Sequence, residues 1–524
     1  MRGKKKTTLI ARQQNFILYK MKKTAKVIFN TGILYLKVII TTVISLVSVP
    51  IILNALGSSD YGIYNLVAGV IAMLAFLNSS MSVSTQRYMS VAIGEGKLEK
   101  LNDIYNNAIA LHFFIALFVV VLFEFAFIFL FDGMLNIPSD RIFAAEGVYQ
   151  MLVISMFFTI MSVPFGSVMN AKEDMIVFAC IDIIDAFLKL VVAFHLASCQ
   201  YDRLMFYGLC ICAITLFTTI SYFLYVKIKY KEFSLHIIKY FNKTTLQEML
   251  GFAGWNSFGA IAVIGRNQGI AIIINHFFGT IANAAYGIAN QINGVLLNFS
   301  ATFQRAINPQ LMQSEGRGDR SRMVRISIIS SKFSTILLSA FALPLIIEMP
   351  FILQIWLKNI PEYSIVLSQL VLLFSIISQY SVGLMSSIQA TGDIKRYQHV
   401  VSGIILLNIP LSVLFMVCGL PIYYCMVSFI IVEILSFAYR LYKAHKMVKT
   451  PILGFIYEVV IKTIVCCIIP VAIALLIHYL LDESFIRFIV TVALLSITYL
   501  ACVWFVAISK TERDQILLSI KIIR

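Results

Sequence analysis

Three cations and two carboxylates lie where keeping a charge is costly. Lys37, Lys189 and Arg266 each stand about ten or more residues inside a long apolar run, and Asp182 and Asp185 share one run with Lys189. If such runs are helices in hydrocarbon, a charge at the centre costs about 2.5–3.5 kcal/mol or more. Lys332 and Lys462 lie within a turn or two of a run's end and are read as extending to water. The deeper cations cannot. They either pair with buried acids or face a common cavity and make it cationic, which is the chemistry that attracts phosphate oxygens. Asp182, Asp185 and Lys189 are spaced three and four apart, so they share one helix face. They either neutralise one another, or Asp182 or Asp185 exchanges H⁺ or Na⁺ with an ion gradient. Glu124 and Glu433 read as solitary and receive no role.

Amides supply a second polar set. Asn256, Arg266 and Asn267 fall in one run, and Asn283, Tyr286, Asn290 and Gly294 recur at helical spacing in the next. An amide in hydrocarbon needs a partner, so the stripe faces either a neighbouring helix or a wet cavity offering hydrogen bonds to hydroxyl-rich cargo. Enzyme signatures are missing: no phosphate-cradling Walker loop, no paired loop carboxylates, no His/Cys cluster. The nine cysteines mostly sit in or beside apolar runs and read as packing residues without a metal.

The composition says what must position these groups. The chain is 60% hydrophobic and 13% charged, with a mean hydropathy of +0.87. Soluble domains carry roughly 25% charged residues, so this chain is an all-α membrane protein. Apolar runs place about fourteen helices near 27–54, 61–86, 106–131, 147–169, 175–197, 204–226, 248–277, 281–304, 326–351, 362–388, 399–418, 420–441, 459–481 and 485–508. Net charge is +16, but the basic residues lie in short connections and form no aromatic-interleaved soluble patch, which excludes a nucleic-acid partner.

Alternate connections hold 33 and 4 Lys or Arg, counting Arg440 and Arg487 with their adjoining connections, while Asp and Glu divide 13 to 9. A bias confined to basic residues marks the cytoplasmic side, so both termini are expected inside. The basic segment 1–26 reads as a cytoplasmic tail leading into a retained first helix, not a cleaved signal, and Met21 is as well placed a start as Met1. No outer connection exceeds about 15 residues, which leaves no room for the large external loop of a glycan polymerase or ligase.

Two segments look like copies. Leu56-Gly57, Tyr61-Gly62-Ile63, Gln86-Arg87 and Gly94-Glu95-Gly96 are followed in the same order by Phe278-Gly279, Tyr286-Gly287-Ile288, Gln304-Arg305 and Gly316-Arg317-Gly318. The repeat divides the chain into a six-helix bundle at 27–226, a basic linker at 227–247 that suggests a surface helix, a second bundle at 248–441, two additional helices within 459–508, and a cytoplasmic tail at 509–524. Transporters are commonly built from such repeats.

The run Pro50-Ile51-Ile52-Leu53-Asn54-Ala55-Leu56-Gly57, then Asp60-Tyr61-Gly62-Ile63-Tyr64 and Arg87, resembles the start of the bacterial polysaccharide-transporter family. These are the Wzx-type flippases of O-antigen and capsule repeat units, within the multidrug/oligosaccharidyl-lipid/polysaccharide (MOP) superfamily. The resemblance implies two six-helix bundles around a central cavity, in the bacterial inner membrane. It implies transport of a polyprenyl-diphosphate-linked oligosaccharide by alternating access, alongside membrane lipids and glycan polymerase machinery. Lys37, Arg87, Lys189 and Arg266 would then attract the diphosphate, and Asn256, Asn267, Asn283 and Asn290 would meet the glycan. A multidrug/cation antiporter of the same superfamily and a peptidoglycan-precursor flippase stay open as alternatives.

Overall fold

A computed structural model of the chain describes residues 2–72, 74–134, 137–357, 359–510, 512–514 and 517, with side chains from 29 onward except at 72, 75, 133 and 134. The side chains of the basic segment 1–26 and most of 509–524 lie outside the described residues. The described residues form helices: α1 Arg2–Ala72, α2 Ala75–Glu95, α3 Leu98–Phe129, α4 Ile142–Ala171, α5 Met175–Leu196, α6 Arg203–Lys229 and the short α7 Ile237–Tyr240. There follow α8 Lys243–Gly316, α9 Arg320–Ile347, α10 Met349–Trp356, α11 Ser364–Gln379, α12 Val382–Thr391, α13 Lys395–Leu406 and α14 Asn408–Val417. The last are α15 Tyr424–Val448, α16 Ile452–Phe455, α17 Lys462–Leu480 and α18 Phe485–Cys502. No strand occurs among the described residues.

Two helices are far longer than one crossing needs. At 1.5 Å per residue, the 74 residues of α8 run roughly 110 Å against a hydrocarbon core of about 30 Å. Each is broken at one glycine. Gly57 has φ 80°, ψ 166° and Gly279 has φ 81°, ψ −173°, a region closed to residues with a Cβ. These are the first landmarks of the two repeat copies, and they share one backbone conformation. The last landmarks match as well: Gly96 and Gly318 both adopt φ 72° at the ends of α2 and α8.

Among the described residues, ten helices are long and apolar enough to cross a membrane, or up to eleven if the bent pair α11 and α12 makes one crossing. This tally does not confirm the expected fourteen, since it counts α1 and α8 once each across their glycine breaks. Another reason is α5, where Asp182, Asp185 and Lys189 dilute the apolar run. Phe125, Phe129, Ile468, Ile497 and Leu500 point outward, as lipid-facing side chains do in a multi-pass membrane protein. Capping fixes several helix starts. Asp202 accepts from the Met205 amide (3.0 Å) to begin α6, and Asn242 accepts from Thr244 and Thr245 to begin α8.

The chain forms two compact units. One comprises Ile33–Ile261 and Met312–Gly318; the other comprises Met1–Gly32, Ala262–Leu311 and Asp319–Arg524. In the first, Val67, Val119, Val148 and Tyr149 form a core closed by a hydrogen bond from the Tyr149 hydroxyl to the Phe123 carbonyl (2.7 Å). In the second, Ile270, Ala282, Ala289, Leu367 and Met426 do the same between α8, α11 and α15. Lys332 does not reach out to water: it is buried on α9 and bonds both oxygens of Glu512, with Glu458 at 3.6 Å. Lys462 instead pairs with Glu458 at 2.7 Å.

Candidate functional site

In the first unit the charged face of α5 meets α1 and α6. Lys37 bonds one oxygen of Asp182, and the Tyr222 hydroxyl donates to the other. Tyr222 stacks flat on Phe178 at 5.6 Å, and the Lys37 ammonium lies 5.1 Å from the same Phe178 ring. One turn along, Asp185 accepts from Thr218 (3.0 Å) and pairs with Lys189 (2.7 Å). Both carboxylates therefore already hold a cation and a hydroxyl. Spacing on α5 shows why Asp182 and Asp185 share a face, but Lys37 lies 145 residues from Asp182, and no periodicity links them.

Arg87 stands apart from this cluster. It is buried near the end of α2, its guanidinium 4.5 Å from the Tyr88 ring and 5.4 Å from Phe252. Beside it, α2 and the end of α8 meet at glycines. A Cβ on Gly94 would collide with the Gln313 carbonyl, and one on Gly316 with the Val91 carbonyl. Gln313 also donates to the Ala171 carbonyl (2.8 Å). The last landmarks of the two copies thus cross at their glycines.

The second unit treats its cation differently. Arg266 is buried on α8 beside an edge-to-face pair of rings, 4.5 Å from Phe429 and 5.3 Å from Phe374. Its Nε and Nη2 donate to Asn267 Oδ1 at 3.1 and 3.0 Å. No carboxylate pairs with it among the described residues. Glu433, one turn beyond Phe429 on α15, is not solitary: it bonds Arg440 at 2.6 Å. The stacking rings are Phe residues in apolar runs and carry no sequence signal of their role.

The predicted amides divide. Asn256 and Asn290 bond their own helix at the Phe252 and Tyr286 carbonyls, Asn267 serves Arg266, and Asn283 is half-buried. Further along α8 the polar stripe is spent on neighbouring helices. Ser375 donates to Asn293, Ser300 to Gln379, and Ser330 to Gln304 (2.9 Å). Sequence reasoning missed Phe178, Thr218, Tyr222, Phe374 and Phe429. Only Tyr222 and Thr218, as polar groups in an apolar run, offered a hint.

Residues 34–195 match the MatE family model. The uncharacterized membrane protein EpsK of Bacillus subtilis (strain 168) is 22% identical over 292 residues, which are 55% of this chain and 57% of EpsK. The chain therefore spans a little over half the length of that curated relative. In fold it is similar to a MATE transporter crystallised in complex with MaD3S, with a TM-score of 0.71 and 12% identity over 81% of this chain and 96% of that one. An outward-facing multidrug resistance MATE transporter of the MOP superfamily gives 0.69 and 11%, over 81% and 96%. A MOP superfamily transporter from Pyrococcus furiosus, described as having a binding pocket of reverse polarity, gives 0.67 and 11%, over 79% and 95%. At this identity the likeness is one of fold, and the chain has the fold of the MATE transporters.

Proposed function

We propose that this chain is a flippase that carries a polyprenyl-diphosphate-linked oligosaccharide, the repeat unit of an O-antigen, capsule or exopolysaccharide, across the bacterial inner membrane by alternating access. One observation carries this reading. Asp182, Asp185 and Glu433 each hold a cation, whereas Arg266 is buried against two rings and an amide with no carboxylate bonded to it among the described residues, the nearby Glu433 being bonded to Arg440. A desolvated guanidinium with no carboxylate bonded to it favours an anionic cargo, and its planar fork suits a diphosphate. Lys37 or Lys189 becomes a free cation within its own unit when a proton takes the place of its ammonium on Asp182 or Asp185. That exchange makes an H⁺ gradient the coupling force, and Na⁺ can serve in the same place. The lipid tail stays in the bilayer while the head group crosses, and glycan polymerase machinery receives it. A peptidoglycan precursor carries the same diphosphate chemistry.

Deleting the gene is expected to accumulate lipid-linked intermediate on the cytoplasmic leaflet and to remove the surface polysaccharide. Unchanged surface polysaccharide with altered drug sensitivity sinks the flippase reading. It would support export of cationic drugs, which the shared fold with a multidrug transporter favours. Such a cargo needs an uncommitted carboxylate, and Lys37 and Lys189 already occupy the two on α5.

A further inference from the structure

The stretch between α6 and α8 is gripped by three asparagines of α3. Asn102 donates to the Glu232 carbonyl (2.8 Å) and accepts from the Ser234 amide (2.9 Å). Asn106 donates to the Ser234 carbonyl (2.8 Å) and accepts from the His236 amide (2.9 Å). Asn107 donates to the Tyr240 carbonyl (2.8 Å) and accepts from the Asn242 amide (3.1 Å). Each amide pairs with backbone groups two residues apart, much as a neighbouring strand would. Phe233 is buried beside Tyr105, with ring centroids 5.0 Å apart, and Lys172 bonds Glu232 at 2.8 Å. The segment is held on one side along its length.

Its free side is apolar. Ile238 is 97% exposed, and Leu235, Ile237 and Phe241 are exposed beside it. Lys231, Lys239 and Lys243 are exposed among them, and the one acid in 227–247 is Glu232, already held by Lys172. Leu224 and Ile228, on the outward face of α6, lead directly into this stretch. Bulky apolar side chains fixed outward between lysines, continuous with a lipid-facing helix, match the chemistry of a bilayer interface with anionic headgroups.

We propose that 230–243 is an in-plane membrane anchor. Leu235, Ile238 and Phe241 enter the interface, the three lysines meet anionic headgroups, and the asparagine grip sets the depth of the first unit in the bilayer. This rests on the membrane-spanning fold and not on the identity of the cargo.

A single tryptophan reports the depth. Ile238→Trp is placed in a variant whose Trp255, Trp356 and Trp504 are phenylalanine and which still complements the deletion. It is reconstituted in vesicles of phosphatidylethanolamine with phosphatidylglycerol, or of phosphatidylcholine alone. Lipids brominated near the headgroup are expected to quench it by roughly twofold, and aqueous acrylamide only weakly. Adding Lys239→Ser and Lys243→Ser, both at exposed positions, is expected to erase the difference between the two vesicle types. Adding Asn106→Ala and Asn107→Ala is expected to weaken the bromolipid quenching. Quenching by acrylamide alone overturns the anchor, and so does protection from both quenchers, which means that protein covers the patch. Unchanged depth in the asparagine variant removes the grip from the proposal.

Discussion

Arg266 and Lys37 are both single cations in apolar helices, yet their surroundings assign them different work. Arg266 lies against an edge-to-face pair of rings and no carboxylate among the described residues is bonded to it, so its charge is available. Charge-assisted hydrogen bonds contribute roughly 1.5–3 kcal/mol, so Arg266→Ala is expected to cut transport by about tenfold to a hundredfold at normal protein levels. Arg266→Lys should retain part, since an ammonium keeps the charge and loses the fork and the stacking. Full complementation by the alanine variant removes Arg266 from the cargo site. Lys37 is both a partner and a cation. Lys37→Met alone strands Asp182, and breaking a buried pair from one side costs about 3–5 kcal/mol, the lower end applying because Asp182 keeps 23% of its side chain exposed. The double variant Lys37→Met/Asp182→Asn is expected to restore thermal stability while leaving transport impaired. If transport returns with stability, Lys37 is a packing residue. Sequence alone revealed each of these charges, because an ion in an apolar run is conspicuous. It could not reveal their partners: Phe374 and Phe429 look like any other membrane phenylalanines, and Asp182 lies too far along the chain from Lys37.

At the scale of elements, the first and last landmarks of the two similar segments were legible because glycine is irreplaceable there. Gly57 and Gly279 need a left-handed φ, and Gly94 and Gly316 need the room a Cβ would fill. The contact of α2 with the end of α8 is therefore sensitive to a single methyl. Gly94→Ala or Gly316→Ala is expected to destabilise by about 1–3 kcal/mol, because the obstacle is backbone and cannot swing away. Gly62→Ala meets nothing within 4 Å and should be neutral or slightly stabilising, so equal melting temperatures for all three variants would refute the close crossing. The junction of α4, α5 and α6 is sensitive to acid instead. Burial alone lifts the Asp174 carboxyl, but hydrogen bonds from Lys229, Tyr225 and Tyr230 outweigh it and hold the group below its ordinary 3.8. A carboxyl depressed in the folded state stabilises above its unfolded value, and that contribution is lost as pH falls through the folded one. Asp174→Asn is therefore expected to unfold more easily at neutral pH, by about 1–2 kcal/mol given the exposed Lys229, with the gap to the parent closing in acid. A gap that persists at low pH would mean the asparagine disturbs packing. The asparagine grip of α3 was not legible, since Asn102 precedes the apolar run and its partners are backbone groups far along the chain.

For the whole molecule, hydropathy and the charge count carried the fold class, because neither depends on which helix packs on which. They left the number of crossings open, since glycine joins spans without a loop and charges dilute α5. The orientation rests on the basic residues, and the first unit sorts its connections in a way that permits a test. Arg141 bridges Asp60 (2.5 Å) and Asp202 (2.6 Å), gathering three connections that carry few basic residues. A second set gathers Lys172 with Glu232, Lys229 with Asp174, and the α3 asparagines with 232–242. The connections expected outside thus meet one another, and those expected inside do likewise. Fluorescent-protein fusions truncated after Lys172 or Lys243 should fold and fluoresce, because that reporter matures in the cytoplasm. Alkaline phosphatase fusions after Asp140 or Tyr201 should be active, because that reporter needs an oxidising exterior. Shifting Lys or Arg into the connection at Asp60 should weaken both signals, since the bias that sets the direction would then be smaller. Activity of the two reporters on the same side of the four sites breaks the alternation, and with it the topology. A clean reversal keeps the fold but places the basic anchor of 230–243, and the face that loads the cargo, in the outer leaflet.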